Sequence, residues 1–130
     1  CDGAVCVFDA ERFDNGGVYN HTSETVGTIS AYSFEAPADG LYFFSATIST
    51  ALSDSHNSFG FMKNGVEDMN ITGSQDPNYG HAHSSTTDDV FLSFSDVYYL
   101  SSGDEICVGS FHTSSDFNSA YSFWSGCRIF

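Results

Sequence analysis

The chain has 130 residues, enough for one hydrophobic core and too few for two. With Lys+Arg 3 against Asp+Glu 17 its formal net charge is -14, which excludes a nucleic-acid partner and disfavours an anionic membrane surface, because few side chains can neutralise phosphates. A hydrophobic content of 41% with 16% aromatic residues excludes a solvated acidic tail, and no run approaches the roughly 18 apolar residues of a membrane span.

Phe 13 and Tyr 7 favour strands, while the good exposed-helix formers are scarce. Taken in chain order, residues 5–8 read as a short strand and Asp14-Asn15-Gly16-Gly17 as a turn. Residues 25–34 alternate loosely and suggest a half-buried strand. Pro37-Ala38-Asp39-Gly40 is a turn. Leu41-Tyr42-Phe43-Phe44-Ser45-Ala46-Thr47-Ile48 is apolar on both parities, which predicts a central strand covered on both faces. Phe59 to Lys63 followed by Asn64-Gly65 reads as a strand entering a hairpin turn. Residues 73–88 read as a long polar loop, 90–100 as a strand, and Ser101-Ser102-Gly103-Asp104 as a turn. Residues 106–111 form another strand, 112–119 a second polar loop, and 120–130 a closing strand. Short strands at even spacing without a convincing helix predict an all-β fold, an antiparallel jelly-roll sandwich. Residues 1–130 read as one domain, without internal repeat or linker.

The cysteines stand at Cys1, Cys6, Cys107 and Cys127, with no CxxC spacing, so a zinc ribbon or thioredoxin-like site is not expected. An even count, together with the sequons Asn20-His21-Thr22 and Asn70-Ile71-Thr72, points to disulfides, glycosylation and an oxidising, extracellular compartment. Spacing alone leaves all pairings open. The chain opens on Cys1 without an apolar leader, which reads as a mature form after signal-peptide removal.

No Gly-x-Ser-x-Gly elbow occurs and no cysteine has a protease-like context, so a binding protein is expected rather than an enzyme. His81-Ala82-His83 places two imidazoles at i and i+2, either a polar surface loop, the start of a metal site, or donors to a sugar hydroxyl. Sugar recognition needs polar groups beside an aromatic platform; Asn78, Tyr79, His81 and His83 offer that mix, as do Asp116, Asn118 and Tyr121. So few cations point away from direct binding of sulfated or sialylated polymers.

Three motifs carry a family resemblance. They are Phe34-Glu35-Ala36-Pro37-Ala38-Asp39-Gly40-Leu41-Tyr42-Phe43-Phe44, Leu100-Ser101-Ser102-Gly103-Asp104-Glu105-Ile106, and the closing Tyr121-Ser122-Phe123-Trp124-Ser125-Gly126-Cys127-Arg128-Ile129-Phe130. Tyr19-Asn20 falls at an aromatic-Asn position. Together they resemble the C1q globular domain, with Trp124 in place of the usual Phe and Cys127 at an aromatic position. The resemblance implies a jelly roll of about ten strands, of the tumour-necrosis-factor type, that assembles as a homotrimer. With no Gly-x-y repeat it resembles a head-only secreted protein, and it implies a lectin of innate immunity that recognises glycans or microbial surface polysaccharides. It also implies a Ca2+ site, for which Asp76, Asp88 and Asp89 are candidates; the alternative is ordinary surface acid. First and last strands would be neighbours, placing Cys6 near Cys127 and leaving Cys1 and Cys107 to pair, or Cys1 to cross to another chain. A structural or signalling trimer, or an acidic calcium-binding extracellular protein with a protein partner, is the alternative function.

Overall fold

The computed structural model describes residues 5–8, 14, 16–27, 30–50, 57–67, 81–84, 91–110 and 118–130. Eight strands occur among them: β1 (Phe34–Glu35), β2 (Gly40–Ser49), β3 (Asn57–Lys63), β4 (Val66–Glu67), β5 (His81–Ser84), β6 (Phe91–Leu100), β7 (Glu105–Ser110) and β8 (Phe123–Arg128). A single 3-10 turn, Ser119–Tyr121, precedes β8, and the described residues contain no α-helix. One antiparallel sheet runs β1-β7-β3-β4, with β5 on the β4 side of β3; the other runs β6-β2-β8. The two sheets make an all-β jelly-roll sandwich, as the strand pattern predicts.

Period two builds the core. Along β2 the side chains of Tyr42, Phe44, Ala46 and Ile48 are buried, because alternate residues of a strand point to one face. They meet Phe94, Tyr98 and Leu100 from β6, and Phe59, Phe61, Ile106 and Val108 from the facing sheet. Phe44 is the hub: its ring lies 5.3 Å from Phe34, 5.8 Å from Phe61 and 6.1 Å from both Tyr98 and Trp124. Each buried aromatic of this kind contributes about 1.5–3 kcal/mol of burial, with up to about 1.5 kcal/mol more per favourable ring pair. Trp124, the departure from the usual Phe, is half-buried against the core and stands edge-on to Tyr19 at 5.4 Å.

The hairpin at Asn64-Gly65 forms as read. Asn64 has φ 52 and Gly65 φ 71, the positive pair that a two-residue turn requires to follow the twist of the strands.

Several expectations are corrected. Among the described residues of 25–34 only Phe34 belongs to a strand; Gly27 at φ 64 and Tyr32 at φ 56 turn the backbone out of the extended region. Within the expected loop 73–88, His81–Ser84 is a strand, paired in register from Asn57↔Ser84 to Gly60↔His81. Residues 5–8 make one bridge, Val5↔Gly109, rather than a strand.

That bridge also decides the cysteines. Cys6 donates its N–H to Val108 O at 2.8 Å, so the N-terminal segment lies beside β7, while β8 pairs only with β2 among the described residues. Cys6 is fully buried, whereas Cys127 stands exposed opposite Phe43. Cys107 and Cys127 are both free thiols, so neither a Cys6–Cys127 nor a Cys1–Cys107 bridge exists.

Candidate interaction surface

The outward parity of β6-β2-β8 forms a sheet face that the fold leaves open. Register sorts it into rows: Tyr99–Leu41, Val97–Phe43–Cys127, Ser95–Ser45–Ser125 and Ser93–Thr47–Phe123, with exposed Phe91 opposite the buried Ser49 at the end. The first two rows are apolar, with Leu41 and Phe43 both 37% exposed and Ile129 beside them. The middle rows carry hydroxyls that bond across the strands, Ser45 Oγ to Ser125 Oγ at 3.2 Å and Thr47 Oγ1 to Ser93 Oγ at 3.0 Å. The far end is aromatic: Phe91, Tyr121 and Phe123 are each more than 60% exposed. These rows contain no Asp, Glu, Lys or Arg, in a chain of formal charge -14. An uncharged face with apolar side chains at both ends and hydroxyls between them is a candidate interaction surface. The expected double cover of β2 is thus half met: one face is core and the other is open in the single chain. The sequence signal for this surface was the run of apolar residues on both parities of 41–48.

The sites expected from composition fare differently. Asp76, Asn78, Tyr79, Asp88, Asp89 and Asp116 lie outside the described residues, as do Cys1 and Asn70. His81 and His83 lie on β5, opposite Gly60 and Ser58. Among the described residues no group of three or more His, Cys, Asp or Glu is placed to hold a metal ion.

Asn118 is engaged by its own turn: its Oδ1 accepts Ala120 N–H at 3.2 Å and its carbonyl accepts Ser122 Oγ at 2.7 Å. Ser122 Oγ in turn accepts Ser49 N–H at 2.9 Å, which fixes the start of β8 against β2 and sets Phe123 opposite Thr47 on the open face. Asn20 is 4% exposed and its side chain is spent. Its Nδ2 donates to Glu24 O at 2.7 Å and Ser30 O at 3.1 Å, and its Oδ1 accepts Thr22 N–H and Oγ1. A glycan on that nitrogen would leave it one N–H for these two carbonyls.

On the opposite sheet an open cleft of about 580 Å³ is lined by Glu35, Glu105, Ser33, Asn64 and Cys107, among others. Glu105 Oε1 accepts Ser30 N–H at 2.6 Å. Burial pushes the Cys107 thiol up to about 11, with Glu105 adding to the rise against a hydrogen bond from Ser33, so it stays a neutral thiol.

Two solved structures are similar to this arrangement of strands. The globular domain of zebrafish complement 1qA protein superposes with a TM-score of 0.53 at 14% identity, over 80% of this chain and 75% of that one. Rabbit GITRL superposes with a TM-score of 0.54 at 11% identity, over 78% of this chain and 74% of that one. The chain has a C1q/TNF-like fold. No protein-family model matches the sequence, and no curated protein does.

Within the C1q/TNF-like fold the motif residues are scaffold. A Cβ on Gly40 would collide with the carbonyl of Phe130 and with Arg128; that carbonyl accepts Leu41 N–H at 2.9 Å. A Cβ on Gly126 would collide with the Phe44 ring, which explains Ser-Gly in the closing motif. Tyr42 donates its hydroxyl to Ala38 O at 2.6 Å and closes the Pro-x-x-Gly turn. Asp104 closes the 101–104 turn by accepting Ser101 N–H at 2.9 Å. It also ties β7 to the hairpin, accepting from Asn64 Nδ2 at 2.9 Å and pairing with Lys63 Nζ at 2.8 Å. The Asn64 bond, then Lys63 and the Ser101 N–H, hold its carboxyl down at about 2.

Proposed function

We propose that this chain is an extracellular recognition head of the C1q/TNF-like type. It self-associates as a trimer through the uncharged face of β6-β2-β8 and recognises carbohydrate with the help of calcium. The observation that carries the self-association is the uncharged face: burying Phe43, Val97, Tyr99 and Phe123 against other copies gains about 25 cal/mol per Å² of apolar area. The glycan reading is supported by the chemistry of Asn78, Tyr79, His81, His83, Asp116 and Tyr121, and calcium by Asp76, Asp88 and Asp89. An extracellular site is supported by the even count of four cysteines. No helix of the described residues is long and apolar enough to cross a membrane. The reading is of a binding domain rather than an enzyme.

Sedimentation equilibrium tests the assembly, with a trimer mass expected. A glycan array run with calcium and with EDTA tests the ligand: signal with calcium and loss with EDTA is expected, and silence in both arms rejects the lectin.

A further inference from the structure

We propose that association of copies through the uncharged face is controlled by ionic screening, so that it tightens as salt rises. The proposal rests on that face being the contact between copies. Each copy carries -14 with Lys+Arg 3. Of these cations Lys63 is already paired with Asp104, and Arg128 donates to the carbonyls of Asp39 and Phe130. A second copy therefore brings acid to acid and few cations to bridge the two. Attraction comes from the contact itself, where apolar burial is insensitive to simple screening. Repulsion comes from the rest of the surface and acts through solvent, where the Debye length falls from about 30 Å at 0.01 M to about 10 Å at 0.1 M. Salt removes the second term and leaves the first. The charge pattern also selects the occupant. A cationic partner would be drawn to the acidic surfaces, whereas a like-charged copy can make close contact only where charge is absent. The apolar, hydroxyl and aromatic bands offer a copy matching chemistry on its own face.

The test is sedimentation velocity on the full chain between about 0.01 M and 0.1 M NaCl. The dissociation constant is expected to fall about tenfold or more, equal to about 1.4 kcal/mol, and to fall equally in choline chloride. Association that is unchanged or weaker at the higher salt overturns the proposal. CaCl2 and MgCl2 at equal concentration are expected to act alike; calcium stronger than magnesium by more than about tenfold assigns the effect to a specific ion site instead and also overturns it. Val97→Lys, at an exposed position, is expected to abolish association at both salts with an unchanged circular dichroism spectrum. A folded Val97→Lys chain that associates like the parent shows that the face is not the contact, a failure of the underlying reading distinct from any salt response.

Discussion

Gly126 and Gly40 show how much a single missing Cβ decides. Each lies where a methyl group would occupy space already held, by the Phe44 ring in one case and the Phe130 carbonyl in the other. Gly126→Ala is expected to cost about 1–3 kcal/mol by overpacking, read as a lower midpoint in urea with an unchanged slope. The sequence exposed both glycines as motif positions, yet not their reason, because the atoms they avoid are over 80 positions away. Asp104 carries a pH signature. Its folded-state carboxyl lies at about 2 against an ordinary 3.8, so its contribution is fully present above the ordinary value. It is lost as pH falls from there through about 2. Asp104→Asn is expected to cost about 1 kcal/mol near neutral pH. The stability gap between parent and variant, measured by denaturant titration, should close on acidification; a gap that is constant down to acid pH refutes the assignment.

At the level of elements, β2, β6, β7 and the Asn64-Gly65 hairpin were legible because each carries its own local signal, an apolar period or a turn pair. β5 was hidden, since His81-Ala82-His83-Ser84 has no apolar rhythm and becomes a strand only through the ladder it shares with β3. Residues 25–33 erred in the other direction, because loose alternation does not report the positive φ of Gly27 and Tyr32. The cysteine pairing failed for a topological reason: β7, rather than β8, receives the N-terminal segment. Asn64 is a position where two element-level terms separate. It holds positive φ and also bonds Asp104 and the Glu105 N–H, the latter at 2.7 Å. Asn64→Gly keeps the backbone and loses the bonds; Asn64→Ala loses both. The alanine variant is expected to be less stable than the glycine variant by about 1 kcal/mol, and equal stabilities would remove the conformational term.

For the whole molecule, the two free thiols among the described residues report on opposite environments. Cys127 is exposed on the uncharged face and Cys107 is buried with its thiol held at about 11. In the dissociated chain a neutral-pH alkylating reagent is expected to modify Cys127 promptly and Cys107 only on unfolding, read by mass spectrometry. Under associating conditions Cys127 is expected to become protected too; prompt labelling at concentrations where the assembly is complete places it outside the contact. The candidate ligand loops were visible in composition alone, as mixtures of Tyr, His, Asn and Asp. Composition does not say which of these side chains take part in local turns, as Asn118 Oδ1 does in accepting Ala120 N–H.

The enclosure of Asn20 has a consequence for biosynthesis. Sugar transfer to Asn-x-Thr happens on nascent, unfolded chain, while Nδ2 of this residue ends up facing the carbonyls of Glu24 and Ser30. In a eukaryotic secretory pathway loop closure and sugar transfer would therefore compete, and a chain modified first would keep one Nδ2 hydrogen for two carbonyls. Intact mass of product from a yeast host, set beside bacterial product, reads out who wins that race.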